Sequence, residues 1–350
     1  MVKKSIHKKM MTGINLSNIF SKEIRLRELI MVNLFGSEYI FYEKFRMNKR
    51  EKMRKTLFLF LLFIGLILCS YGCKKQGQPD AFLSGIEKAV SEDGVDIYYK
   101  IKGMGNYSLV FVHGWCNDMT YWENQIPAFS SGYKVLTLDL AGHGLSGGER
   151  ESWTMQTFGQ DVVSVVDKEG LKNIILIGHG MGGAVILEAA RLMPGKVIGL
   201  VGIDTFKDHY MKEYSDEQVE FFLKPWRDDF KNRMREYAVE TFFHNKVDQQ
   251  LMRKVIIDMR EASPKKSLNM LRQLLKYDGS KAFKDIEVPI ECINSKLRDT
   301  SYEIATQNAS SFNWIYQSGA GHFLMLENPD FFNRLLAGTL EDIILDLYKR

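Results

Sequence analysis

Ile174-Ile-Leu-Ile-Gly178-His179-Gly180-Met181-Gly182-Gly183 runs without a break into Ala184-Val-Ile-Leu-Glu-Ala-Ala. A continuous apolar run, a glycine-rich turn and a helix-forming segment follow one another, which reads as strand, sharp turn, helix. Gly178 and Gly182 flank the central residue at two positions on either side, where strand and helix approach too closely for a side chain. The centre of such a turn holds a positive-φ backbone that lifts a nucleophilic side chain toward substrate. Here the central residue is Gly180, which has no side chain to lift. The segment is not a phosphate loop, because Lys-Ser/Thr is missing, and its glycine spacing does not fit G-x-G-x-x-G.

Outward from this turn, short apolar or β-branched runs at 95–101, 109–112, 135–138, 174–177, 198–203, 290–293 and 314–316 alternate with helix-period segments near 120–130, 153–168, 181–193, 301–309 and 330–348. Continuous apolar strands alternating with helices imply an α/β fold with a mostly parallel sheet covered on both faces. The alternation fails over 207–281, which has charged and aromatic residues at helical spacing and no strand-like run. This stretch is expected to be a helical cap inserted between strands, over the carboxyl edge of the sheet. The core is then 90–206 and 282–350.

Three further motifs accompany the turn in order. Phe111-Val-His113-Gly114-Trp115 follows a strand, Asp139-Leu-Ala-Gly142-His143-Gly144-Leu-Ser146 follows the next, and Gly321-His322-Phe-Leu-Met-Leu-Glu327-Asn-Pro329 lies near the end. With them the chain resembles the α/β-hydrolase superfamily over roughly residues 90–350, its G-H-S-M-G-G elbow altered to G-H-G-M-G-G. The resemblance implies roles. His322 matches the general base, and Gly180 the nucleophile position. The backbone N–H groups of Met181 and of Trp115 or Cys116 match the oxyanion hole. Two carboxylates match the acid, Asp204 after one strand and Asp299 after another, and the order nucleophile, Asp, His accepts either. His113 and His143 are expected to fix their loops.

The whole chain has 350 residues, 45% of them hydrophobic, and a net charge of +4. The first 72 residues carry 14 Lys/Arg against 5 Asp/Glu, leaving 33 against 38 in the remainder. A mildly acidic remainder argues against nucleic-acid binding. Residues 1–55 read as a basic leader, with translation starting at Met47 or Met53. Residues 56–73 read as an export signal: Arg54 and Lys55, thirteen apolar or small residues, then Cys69-Ser-Tyr-Gly-Cys73. The ending resembles a bacterial lipoprotein signal, which implies lipidation of Cys73 and a cell-envelope protein anchored in the membrane; an uncleaved apolar anchor is the alternative. Residues 74–89 read as a tether. Cys116 and Cys292 end core strands and are expected to be unpaired. No metal or cofactor is expected, since no His/Cys/Asp/Glu cluster has ligand spacing.

Glycine at the elbow leaves three readings of function. The chain binds a small apolar ester- or lactone-like ligand without efficient turnover. Or His322 acts directly as a base, without a covalent nucleophile. Or Gly180 is a recent change in an active carboxylic-ester hydrolase.

Overall fold

The computed structural model describes residues 84–349 apart from 245 and 298–300. The basic leader, the apolar run, Cys73 and Asp299 lie outside the described residues. Among those described, the chain runs β1 (Ile86–Val90), β2 (Asp96–Lys102), β3 (Ser108–Val112), α1 (Gln125–Phe129), β4 (Lys134–Leu138), α2 (Met155–Lys168), β5 (Ile174–His179), α3 (Met181–Leu192) and β6 (Val197–Ile203). Then come α4 (Asp216–Asp228), α5 (Phe230–Thr241), α6 (Gln249–Arg260), α7 (Pro264–Leu275) and α8 (Gly279–Lys284). The chain ends with β7 (Ile290–Ser295), α9 (Glu303–Asn308), β8 (Phe312–Gln317), α10 (Leu324–Glu327) and α11 (Pro329–Leu347).

The strands form one sheet of order β1-β2-β4-β3-β5-β6-β7-β8, antiparallel for β1 and β2 and parallel from β4 to β8. Helices cover both faces, so β3, β5 and β6 bury every residue, and their side chains need not alternate in polarity. Parallel strands all deliver their carboxyl ends to one edge. That edge therefore gathers the turns after β3, β5, β6 and β7.

The stretch 74–89, read as a tether, is in part structured: β1 begins at Ile86 and pairs with β2. Only Ala89 of β1 is fully buried, so this edge strand carries no apolar run to announce it.

Between β6 and β7 the chain is helical, as its spacing indicates. Ser215 caps α4 in a reciprocal box with Gln218, and Asp248 accepts the Gln250 and Leu251 N–H groups to start α6. Each helix turns an apolar face inward, and Trp226, Phe230, Met234 and Met259 are buried in a cluster continuous with the core of the sheet. The last helix, α8, packs against α3 and α9 of the sheet layer rather than with the cap, and Phe283 meets Phe206 and Phe312. The cap thus ends near α7, a few residues before the expected 281. Among the described residues no helix is long and apolar enough to cross a membrane.

Candidate active site

Gly180 stands between β5 and α3 with φ +53° and ψ −116°, the turn its neighbours require. Its N–H donates to Ile203 O at 3.0 Å, and its carbonyl accepts the Thr205 hydroxyl at 2.8 Å. A Cβ on Gly178 would collide with the Gly182 carbonyl, and one on Gly182 would lie 2.6 Å from Val112 O. The flanking glycines are therefore steric requirements of the strand–helix approach. Gly180 is different. A Cβ there would lie 3.1 Å from His322 Nε2 and 3.3 Å from Cε1, so the imidazole has settled close to the space a nucleophile would fill.

His322 lies on the loop after β8, and four contacts hold it. Its N–H donates to Phe242 O at 2.6 Å, its carbonyl lies 2.9 Å from His179 Nε2, and its ring stacks on Phe242 with centroids 4.7 Å apart. Its Nδ1 lies 2.7 Å from Asp204 Oδ2. Among the described residues Asp204, one of the two carboxylates matched by sequence, is thus bonded to His322, while Asp299 lies outside them.

Asp204 follows β6 with φ +46°, a conformation unusual for a residue other than glycine. Its Oδ1 accepts Lys207 Nζ at 2.8 Å, Ser295 N–H at 2.9 Å and the Ser295 hydroxyl at 2.8 Å. Burial by itself would push this carboxyl up. The His322 hydrogen bond and charge, with the Lys207 ammonium, outweigh burial and hold it well below the usual carboxylate range.

The turn after β3 faces Gly180 across the site. Cys116, at φ +57°, gives its N–H to His143 Nε2 at 3.3 Å. That amide is already engaged, which leaves Trp115 as the donor this loop can offer. Among the described residues neither the Trp115 nor the Met181 backbone N–H has an acceptor in the chain. The Cys116 thiol meets Ser267 Oγ at 3.3 Å, and burial pushes it up to about 12, so it holds no thiolate. Cys116 and Cys292 are both free and buried.

His113 Nε2 accepts the Leu140 N–H at 3.0 Å, so two imidazoles tie the turn after β3 to the turn after β4. Burial pushes His113 down to about 4 and, with His113 beside it, His143 down to about 3; both are neutral struts. Asp139 braces the same turns by accepting the Met119 and Leu145 N–H groups, both at 2.7 Å, while burial pushes it up to about 7.

Between cap and sheet lies a cavity of about 680 Å³, walled by Val219, Phe222 and Leu271 of the cap and by Asp204, Lys207 and His322 of the core. A smaller one of about 50 Å³ touches Gly180, Met181, Trp115 and Asn117. Among the described residues the buried Asn117 Nδ2 there has no hydrogen-bond partner. Among the described residues no three His, Cys, Asp or Glu converge as metal ligands.

Sequence reading missed Lys207, Ser295, Phe242 and Ser267. None belongs to a motif; Lys207 pairs locally with Asp204 three positions earlier, and the other three reach the site through contacts between distant segments. Trp115 Nε1 donates to Ser267 O at 2.9 Å, which fastens the β3 turn to α7.

This arrangement has a histidine base held by a carboxylate, two unspent amide donors and an apolar chamber. It has no side-chain nucleophile at the elbow. The family described as alpha/beta hydrolase matches residues 109–335. The chain is 36% identical over 110 residues to a non-heme chloroperoxidase of Streptomyces lividans, covering 31% of this chain and 40% of that protein. It is 30% identical over 139 residues to the dihydrolipoyllysine-residue acetyltransferase component of the acetoin cleaving system of Cupriavidus necator, covering 38% of this chain and 37% of that protein. These alignments span two fifths or less of either relative's length. Among solved structures, a bromoperoxidase from Bacillus anthracis superposes with a TM-score of 0.64 at 22% identity, over 73% of this chain and 99% of that one.

Proposed function

The chain belongs to the alpha/beta hydrolase family, and on that premise we propose that it binds a small apolar ester- or lactone-like ligand without efficient acyl transfer. One observation carries the reading: at φ +53° and facing His322 Nε2, the elbow offers a Cα where covalent catalysis needs an oxygen or sulfur. The chamber supports the binding half, since its size and apolar walls suit a small lipophilic molecule. The amide donors and ligand binding that remain correspond to a residual acceleration of about 10³–10⁴-fold over water.

The test measures binding and turnover together. Methyl decanoate is expected to raise the melting temperature of the wild type. Hydrolysis of p-nitrophenyl butyrate is expected to be no faster than in His322→Ala. Wild-type hydrolysis that depends on His322 would overturn the binding-only reading.

The same result would favour a second reading, motivated by the 50 Å³ pocket beside Gly180. That pocket is large enough for a water molecule. His322 Nε2 would take a proton from this water as its oxygen bonds to the ester carbonyl carbon. The Met181 and Trp115 N–H groups would hold the oxyanion. Collapse would expel the alkoxide, which takes the proton back from His322, leaving acid and alcohol. Absence of an acyl-enzyme in a rapid-mixing burst would separate this route from any covalent one.

A further inference from the structure

We propose that the 680 Å³ chamber takes a carboxylate-terminated amphiphile, with its head on Lys207 Nζ and its tail along the cap wall. This rests on the ligand-binding reading above and names the ligand class.

The Lys207 side chain is 8% exposed, so its ammonium is nearly out of water. An ammonium has three N–H donors. Among the described residues, Asp204 Oδ1 at 2.8 Å is the only acceptor bonded to it. Asp204 cannot take more. Its Oδ1 also receives both Ser295 groups, and its Oδ2 is bonded to His322. The cluster therefore has an excess of donors over acceptors, in a place where unsatisfied donors are costly.

A ligand carboxylate brings two strongly accepting oxygens to these donors, whereas a neutral ester brings one weakly accepting carbonyl. The walls meet the rest of such a molecule: Val219, Phe222, Leu271 and Leu275 are apolar and at least partly buried. Glu217, a second carboxylate at the chamber, is exposed on α4 and accepts the Ser215 hydroxyl at 2.8 Å rather than a Lys207 N–H. A lysine placed there only to brace Asp204 would show no preference for an anion.

Calorimetric titration of the full-length protein with decanoate and methyl decanoate tests this. In the wild type decanoate is expected to bind about tenfold or more tightly than the ester, the size of a charge-assisted hydrogen bond. Lys207→Met is expected to remove the difference by weakening decanoate alone, and Lys207→Arg to restore part of it. If Lys207→Met fails to fold, Lys207→Gln serves, since it keeps a donor and loses the charge. Equal binding of both ligands by the wild type, or an undiminished preference in a folded charge-free variant, overturns the proposal. Decanoate binding without ester binding supports it and sinks the ester reading. Ester binding alone does the reverse, and binding of neither removes both.

Discussion

Gly180 adopts φ +53° freely, whereas an L-residue held there stores about 1–3 kcal/mol of strain. Gly180→Ser should therefore lower unfolding stability by about 1–3 kcal/mol in urea titration. The His322 ring must also retreat slightly, because the new Cβ would begin 3.1 Å from Nε2. Against that loss, the hydroxyl would face a base held by Asp204 and two unspent amide donors. Ester hydrolysis by Gly180→Ser is expected to exceed the wild type by about three orders of magnitude. A folded variant with no gain would mean that the base and amide donors no longer form a working site. The absence of a nucleophile is legible in the sequence, since one letter decides it. The readiness of its partner is not, because His322 reaches Gly180 across 142 residues of chain.

At the scale of elements, the cap is fixed to the sheet layer by a few bonds. Ser267 on α7 receives Trp115 Nε1 and meets the Cys116 thiol, and Phe242 beyond α5 receives the His322 N–H. Trp226 on α4 packs edge-on against Trp115 of the β3 turn at 5.4 Å and, within the cap, against Tyr237 at 5.2 Å. Trp226→Ala removes a fully buried ring at this junction and should cost about 3–5 kcal/mol. The loss is expected to fall on the cap. Amides of α4 to α7 should exchange faster by hydrogen–deuterium mass spectrometry, while those of β3, β5 and β6 stay protected. Equal acceleration in the sheet would show that cap and sheet open as one unit. The cap helices are legible from spacing because each has its own apolar face and capping residues. The β1 strand is not, because its identity comes from pairing with β2 rather than from its own side chains.

For the molecule as a whole, buried titratable groups tie stability to pH. Burial lowers His113 to about 4, His143 to about 3 and His179 well below its ordinary value. The unfolded chain therefore binds protons that the folded chain refuses, and these groups lose stability as pH falls below about 6.5. Asp139, raised to about 7, works the other way: it keeps its proton when folded and so loses stability as pH rises from about 4 to 7. Asp204, held low, contributes stability above about pH 4 that is lost on further acidification. The two trends oppose each other, so single variants read them best. His143→Gln should flatten the dependence of unfolding free energy between about pH 4.5 and 6, relative to the wild type, by about 1.4 kcal/mol per pH unit. Parallel curves for the two proteins would show that His143 is protonated in the folded state.

Apart from β1, the alternation of strands and helices, the helical insertion, the sharp turn at Gly180 and its missing nucleophile follow from the sequence alone. Each depends on residues within one turn or one element, where backbone sterics and apolar spacing act directly. The bond between Asp204 and His322, the saturation of that carboxylate by Ser295 and Lys207, and the engagement of the Cys116 amide by His143 required the tertiary structure. Asp204 and His322 are 118 positions apart, and both candidate acids satisfy the same chain order. The pairing of β6 with β7 sets Asp204 beside Ser295 at the carboxyl edge, and the pairing of β7 with β8 delivers the His322 loop to the same edge. Such contacts are made between the ends of different strands, and no local preference of the chain encodes which ends become neighbours.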